Sequence, residues 1–404
     1  MMAPSPAVQL LIWSARSALG DTDAGDPPLT DMGDADWGAF LRAAFRHAMV
    51  PVASRELAAF TGVPELVSAD LGASSSASAR RSLTLAGELL MILRRLESAG
   101  VRAVPWKGPL LAERAYGDVG RRYFFDLDVL VQKGDLWTAR DLFLADGFRT
   151  EKPMTPAQQK KYVDRQGELE LVRDSDGLWL ELHTAIVPNY YSAGQSADDL
   201  WRRLRPTQLA RRQVLALAPA DELEALCVHG SKHKWERLLW VLDVALMSRL
   251  VAADEWQTLA RGARDRGTLR MLHLGLRLAM DLCSVRLPDQ VMADVRADRA
   301  AAALAAEARR DMFDPRPRPP DSLLFHLRMR ERGRDRLRYV ANVLFTPSGA
   351  DWERLALPQA LFPLYAITRP LRLGIKYSRR FIGREGLDGT PPEGVKGKVR
   401  DIQD

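Results

Sequence analysis

Two aspartates separated by one leucine, Asp126 and Asp128, lie inside the run Tyr-Phe-Phe-Asp-Leu-Asp-Val-Leu-Val at residues 123–131. The run is rich in aromatic and β-branched residues and predicts a strand. Residues two apart on a strand share a face, so both carboxylates point one way while Leu127 and Val129 point the other. Paired carboxylates in an apolar strand are costly to bury, and their repulsion raises one pKa further. A divalent cation that prefers oxygen ligands, Mg²⁺ or Mn²⁺, removes both costs, and Mg²⁺ is usually shared with substrate phosphates. Glu181 and His183 repeat the spacing in Leu180-Glu181-Leu182-His183. If their strand neighbours the first, Glu181 joins Asp126 and Asp128 as a third metal-binding carboxylate, and such a cluster can hold two metal ions. His183 suits the role of orienting that cluster.

Other residues suit an anionic ligand. Lys107-Gly108 stands where a short β-like stretch gives way to a helix. Glycine lets backbone N–H groups approach an anion, and a helix N-terminus favours phosphate. Lys107 could pair with that phosphate, and Arg121 and Arg122 precede Asp126 closely enough to reach a triphosphate. Further on, Leu226-Cys227-Val228-His229-Gly230-Ser231-Lys232-His233-Lys234-Trp235 reads as helical. His229 and His233 share a face there, but zinc chemistry lacks its glutamate and a third ligand. His229, Lys232 and His233 instead suit a nucleotide or an acceptor. No Walker-type loop is present, and no nucleophile elbow surrounds Ser231.

These side chains need elements to hold them. The predicted order is a helix ending at Gly100, a β-like stretch at 101–106, a helix at 109–116, the Asp-x-Asp strand and a helix at 135–147. A hairpin follows, 168–172 with 178–186, turned by Asp174-Ser175-Asp176-Gly177. This makes an α/β or α+β domain over about residues 80–190. Residues 1–34 read as irregular, 72–78 as a Gly/Ala/Ser linker, and everything after Pro188 as helical, with helices at 221–250, 255–266, 268–284, 289–310 and 322–344. Residues 314–320 read as a stiff linker. The resulting division is an N-terminal helical segment (1–79), the core (80–190), a helical domain (191–312), a basic helical appendage (321–382) and a disordered tail (383–404).

The composition, 47% hydrophobic and 27% charged over 404 residues, is that of a globular protein. Two cysteines exclude a disulfide framework. The net charge of +6 is unevenly spread: Arg309 onward holds 20 Lys/Arg against 12 Asp/Glu, while the first 308 residues hold 38 against 40. The basic surplus therefore points to an anionic partner or a membrane surface touched by the C-terminal region. The interleaved aromatics of a single-strand nucleic-acid platform are missing, which argues against nucleic acid. With no apolar run of membrane-spanning length and no secretory pattern, the expected location is cytoplasmic, with peripheral membrane contact open.

The block Lys107-Gly108-Pro109-Leu110-Leu111-Ala112-Glu113-Arg114-Ala115-Tyr116, then Arg122-x-x-x-Asp126-Leu127-Asp128-Val129-Leu130-Val131, then Asp146-Gly147-Phe148, resembles the uncharacterised nucleotidyltransferase-like family of the polymerase-β superfamily. The likeness continues through Leu180-Glu181-Leu182-His183 and more loosely over 226–245. It implies an α+β fold, a small mixed sheet with helices followed by a helical part. It implies that Asp126 and Asp128 are the metal-binding pair and that Glu181 is the third acidic residue, which aids deprotonation of the acceptor. Gly108 matches the superfamily's small-residue turn, although Pro109 replaces the second small residue. The implied reaction moves a nucleoside monophosphate from an NTP to a peptide, sugar or small-molecule acceptor. Members beside lasso-peptide and surface-polysaccharide genes suggest those pathways. A degenerate member that only binds a nucleotide or peptide is the alternative.

Overall fold

The computed structural model describes residues 4–20, 25–186, 191, 197–314, 322–355 and 357–382. The chain divides into two compact units, Met1–Tyr339 and Val340–Asp404. The first has an α+β architecture.

It begins with helices α1 (Pro6–Ser17), α2 (Asp34–Arg46), α3 (Val50–Leu57) and α4 (Glu65–Ser98). Two expectations are corrected here. Residues 6–17 are helical, with Pro6 in the first turn and Leu10, Leu11 and Trp13 buried against α2, α3 and other helices. Residues 72–78 are the middle of α4, not a linker. One interior glycine costs a helix only about 1 kcal/mol, and the buried Val67, Leu71, Leu85 and Leu89 outweigh it.

Then follow β1 (Ala103–Trp106), α5 (Gly108–Tyr116), β2 (Asp126–Val131), α6 (Leu136–Ala145), β3 (Phe148–Thr150), α7 (Pro156–Gln166), β4 (Glu168–Arg173) and β5 (Trp179–His183). The sheet order is β1-β2-β5-β4-β3, with β2 and β5 parallel and the other pairs antiparallel. The β4–β5 hairpin forms at the predicted Asp-Gly turn, where Gly177 has φ +72°. One sheet face carries Leu127, Val129, Leu169, Leu171, Leu180 and Leu182, all buried in a core with Leu85, Leu89 and Ile92 of α4 and Ala139 and Phe143 of α6. The other face carries the polar side chains described below.

After residue 188 the chain is not uniformly helical. α8 (Ala197–Arg202) precedes a hairpin of β6 (Arg205–Leu209) and β7 (Arg212–Ala216). Its turn is Ala210-Arg211, both at positive φ, so it lacks the glycine or asparagine that marks such turns in sequence. α9 (Pro219–Lys232) and α10 (Leu238–Ser248) share the expected 221–250 segment. They are separated where Lys234 and Trp235 take positive φ. α11 (Glu255–Arg266) and α12 (Leu269–Cys283) match their predicted spans closely. α13 (Asp289–Ala297) and α14 (Arg299–Met312) are split at Asp298, whose side chain caps α14 by accepting from Ala301 N–H. α15 (Ser322–Met329) and α16 (Gly333–Phe345) likewise replace one predicted helix. The second unit contains α17 (Gly349–Arg354) and α18 (Tyr365–Ile382). The expected stiff linker, apart from Asp314, and the expected tail lie outside the described residues.

Candidate active site

The site is written in strand register. Trp106, Asp128, Glu181 and Glu170 stand side by side across β1, β2, β5 and β4. The next row on the same face is Val104, Leu130, His183 and Glu168. The strand holding Glu181 does neighbour that holding Asp128. Asp128, Glu181 and His183 are all buried, and one ligand atom from each lies within 4.8 Å of the others. Asp126 sits outside that group: its register partner is Trp179, and it is half-buried at the start of β2.

Two cations balance Asp128. His183 Nε2 donates to Asp128 Oδ1 at 2.8 Å, and Lys107 Nζ donates to the same oxygen at 3.3 Å. Burial alone would raise the Asp128 pKa, but Lys107 and His183 outweigh it and the carboxyl lies below its ordinary value. For His183, burial favours the neutral ring. The hydrogen bonds to Asp128 and Glu181 prevail and push it up to about 9. His183 Nδ1 also faces Glu168 Oε2 at 3.7 Å.

Lys107 is held in a rare conformation, φ 53° and ψ −140°, immediately before α5. Its ammonium also lies 3.9 Å from the Trp106 ring centroid. Gly108 follows at φ +43° and begins α5, so backbone N–H groups with no helical partner lie next to Lys107. Arg122 is buried and drawn to α10, where its Nε and Nη2 each donate to the Asp243 carboxylate at 2.8 Å. Tyr116 donates to the same carboxylate at 2.7 Å. Arg122, one of the donors expected to reach phosphate, is therefore engaged by Asp243.

The α9 motif meets this face. The His229 ring lies 6.4 Å from Trp106, 4.7 Å from His233 and 5.2 Å from Trp240. Lys232 Nζ lies 3.9 Å from Glu168 Oε1. Burial, then the charges of Lys107, His233, Lys232 and Arg122, push His229 well below the ordinary histidine value, so it is a neutral ring in a positive field. Gly230 has a packing role: a Cβ there would lie 2.5 Å from the Trp235 ring. Of the expected residues, Lys107, Gly108, Asp128, Glu181, His183, His229, Lys232 and His233 thus gather around one sheet face and its α9 border. Arg122 stands behind them and Asp126 at their edge.

Sequence reasoning missed Glu168, Glu170 and Trp106. Glu170 pairs with Lys152 at 3.1 Å, and Trp106 stands edge-on to His183 at 5.3 Å. The signal was available: Glu168-Leu169-Glu170-Leu171 alternates like Leu180-Glu181-Leu182-His183, and antiparallel pairing in the hairpin puts both sets of polar side chains on one face.

A mixed sheet with buried carboxylates on adjacent parallel strands, a Lys-Gly step into a helix and a helical follow-on is the arrangement of a nucleotidyltransferase. The model of an uncharacterised nucleotidyltransferase family matches residues 33–284, well over half of the chain, and the chain belongs to that family. No curated protein matches it. Among solved structures, the antibiotic-resistance factor ANT(2'')-Ia is similar at 12% identity and a TM-score of 0.32, covering 46% of this chain and 93% of that one. An antigenic nucleotidyltransferase-like protein from Paracoccidioides brasiliensis is similar at 16% identity and a TM-score of 0.28, covering 48% and 93%. Likeness at that level carries no argument about substrates.

Proposed function

We propose that the protein is a metal-dependent nucleotidyltransferase that moves a nucleoside monophosphate from an NTP to a hydroxyl or phosphate acceptor and releases pyrophosphate. The observation that carries this reading is the buried Asp128–Glu181–His183 group beside Lys107 and the start of α5. The donor set fits a divalent cation. Two carboxylates suit Mg²⁺ or Mn²⁺, and an added imidazole is better tolerated by Mn²⁺. Asp128 and Glu181 would hold the ion, with Asp126 at the strand start on the same side. When bound, such an ion polarises the phosphoryl oxygens and orients the triphosphate.

The remaining roles belong to the chain. Lys107 and the N–H groups opening α5 bind triphosphate oxygens, helped by the positive end of the helix. Lys232 adds charge from α9, and His229 and His233 face the nucleotide as rings. The acceptor oxygen bonds to the α-phosphorus as the bond to the β-phosphate oxygen breaks. Glu181 takes the acceptor's proton, and pyrophosphate carries the departing negative charge.

Pyrophosphate release tests this with ATP, GTP, CTP and UTP, Mg²⁺ or Mn²⁺, and peptide, sugar and small-molecule acceptors. The wild type should release it, and the double variant Asp126→Asn/Asp128→Asn should not. Lys107 and His183 already balance Asp128 without a metal, which favours one second reading: a degenerate, non-catalytic binder of nucleotide or peptide. Calorimetric binding without turnover would establish that reading instead.

A further inference from the structure

We propose that α18 is an interfacial anchor that lays an exposed apolar stripe on an anionic lipid bilayer. The second unit fixes this helix from one side. Tyr365 is buried; its hydroxyl donates to the Leu355 carbonyl and accepts from Leu357 N–H at 3.1 Å. Arg369 is buried as well, donating through Nε to the Val343 carbonyl at 2.7 Å and through Nη1 to Ser348 Oγ at 2.8 Å and to Asp351. Arg372 Nε donates to Asp351 Oδ1 at 2.6 Å. Tyr365, Arg369 and Arg372 are spaced i, i+4 and i+7, so they define one helix face.

Ile367 and Leu371, spaced i and i+4 on a different face, are 62% and 64% exposed, and Leu364, which directly precedes the helix, is 42% exposed. Leu361, in the short 3₁₀ turn Gln359–Leu364 before the helix, is 45% exposed. Aromatic and ionic anchoring on one side thus holds an aliphatic stripe in water, where it gains nothing from burial.

Charge and side-chain type choose the occupant. From Arg354 to Arg384 the chain carries seven basic residues and no acidic one, and Lys376, Arg379 and Arg380 follow within the same helix. A cationic helix with an aliphatic face suits the boundary between acyl chains and anionic headgroups. The exposed stripe is leucine and isoleucine, without the tryptophan or tyrosine that anchors protein interfaces. No helix of the described residues is long and apolar enough to cross a membrane, so α18 lies on the bilayer and does not span it.

The test floats the full chain with vesicles of phosphatidylcholine alone and of two parts phosphatidylcholine to one part phosphatidylglycerol. The protein should float only with the anionic vesicles and be released as salt rises. Ile367→Glu/Leu371→Glu should lower the bound fraction at least about tenfold while melting like the wild type. Lys376→Glu/Arg379→Glu, which keeps the stripe, should also lose the anionic vesicles. Flotation with neither vesicle, equal flotation with both, or undiminished flotation of either variant overturns the proposal. So does capture by soluble polyglutamate without flotation, which would point to an acidic protein partner. Pyrophosphate release is read separately, and its failure would leave this result standing.

Discussion

The five-stranded sheet has two faces made from alternate residues of the same strands, and the two are built to opposite ends. On one, Leu127, Val129, Leu169, Leu171, Leu180 and Leu182 are fully buried against α4 and α6. On the other, the same strands present Asp128, Glu181, His183, Glu168 and Glu170 in adjacent rows. Backbone register is common to both, so only the side chains differ. Each leucine contributes about 1.5–3 kcal/mol by leaving water. Each buried carboxylate costs free energy that its ion pairs only partly offset. A sheet covered on both faces normally reads as continuous apolar strands. This one does not, and the proposed metal and nucleotide site is a reason for the difference.

The comparison breaks most sharply at Asp128. Asp128→Asn should lower nucleotidyl transfer at least about a hundredfold, since metal-assisted charge stabilisation amounts to several kcal/mol. Steady-state assays across NTPs and acceptors check this. Activity within a few fold of wild type would place the chemistry elsewhere.

A buried carboxylate with a purely architectural duty should behave differently. Asp243 is fully buried and receives two hydrogen bonds from Arg122 and one from Tyr116. Asp243→Ala strands the Arg122 charge and should cost about 3–5 kcal/mol in chemical denaturation. Glu181→Gln removes one of two crowded carboxylates and should leave the melting temperature unchanged or higher while activity falls. On the apolar face, Leu180→Ala should cost about 2–5 kcal/mol of stability and leave turnover per folded molecule unchanged. If Leu180→Ala abolished turnover without destabilising the fold, the division between the faces would be wrong.

The smallest effect sharpens the contrast between histidines. Burial, then the nearby Arg46 and Arg237 charges, push His47 down to about 3. Burial, then Arg330 and Lys234, do the same to His326. Both rings are neutral when folded, whereas the unfolded chain protonates them near pH 6.5. Their contribution to stability is therefore complete above pH 6.5 and is lost as pH falls from there toward 3, at up to about 1.4 kcal/mol per pH unit for each. Urea titrations between pH 7 and 5 should show the loss, and His47→Asn should flatten the slope.

Much of this was legible in sequence where one residue carries one local message. Alternation in residues 123–131 gave the strand and its polar face, and Asp176-Gly177 gave the hairpin. Glu168 and Glu170 were overlooked although their alternation is as clear, because paired glutamates in a hairpin usually face water. The β6–β7 hairpin was hidden by a turn of alanine and arginine, and the continuity of α4 through residues 72–78 by Gly72 and the serines after it, which tertiary packing overrides. Lys107's left-handed backbone and the Arg122–Asp243 pair, 121 residues apart, have no local signature. The second depends on α10 packing against α5.

The central claim, that the polar face holds a divalent cation, is tested most directly by titrating Mn²⁺ into the protein and following free Mn²⁺ by electron paramagnetic resonance. The wild type should bind Mn²⁺ in the presence of NTP, Glu181→Gln and Asp128→Asn should bind it at least about tenfold more weakly, and Leu180→Ala should bind it like the wild type. Equal Mn²⁺ binding by wild type, Glu181→Gln and Asp128→Asn would contradict the account.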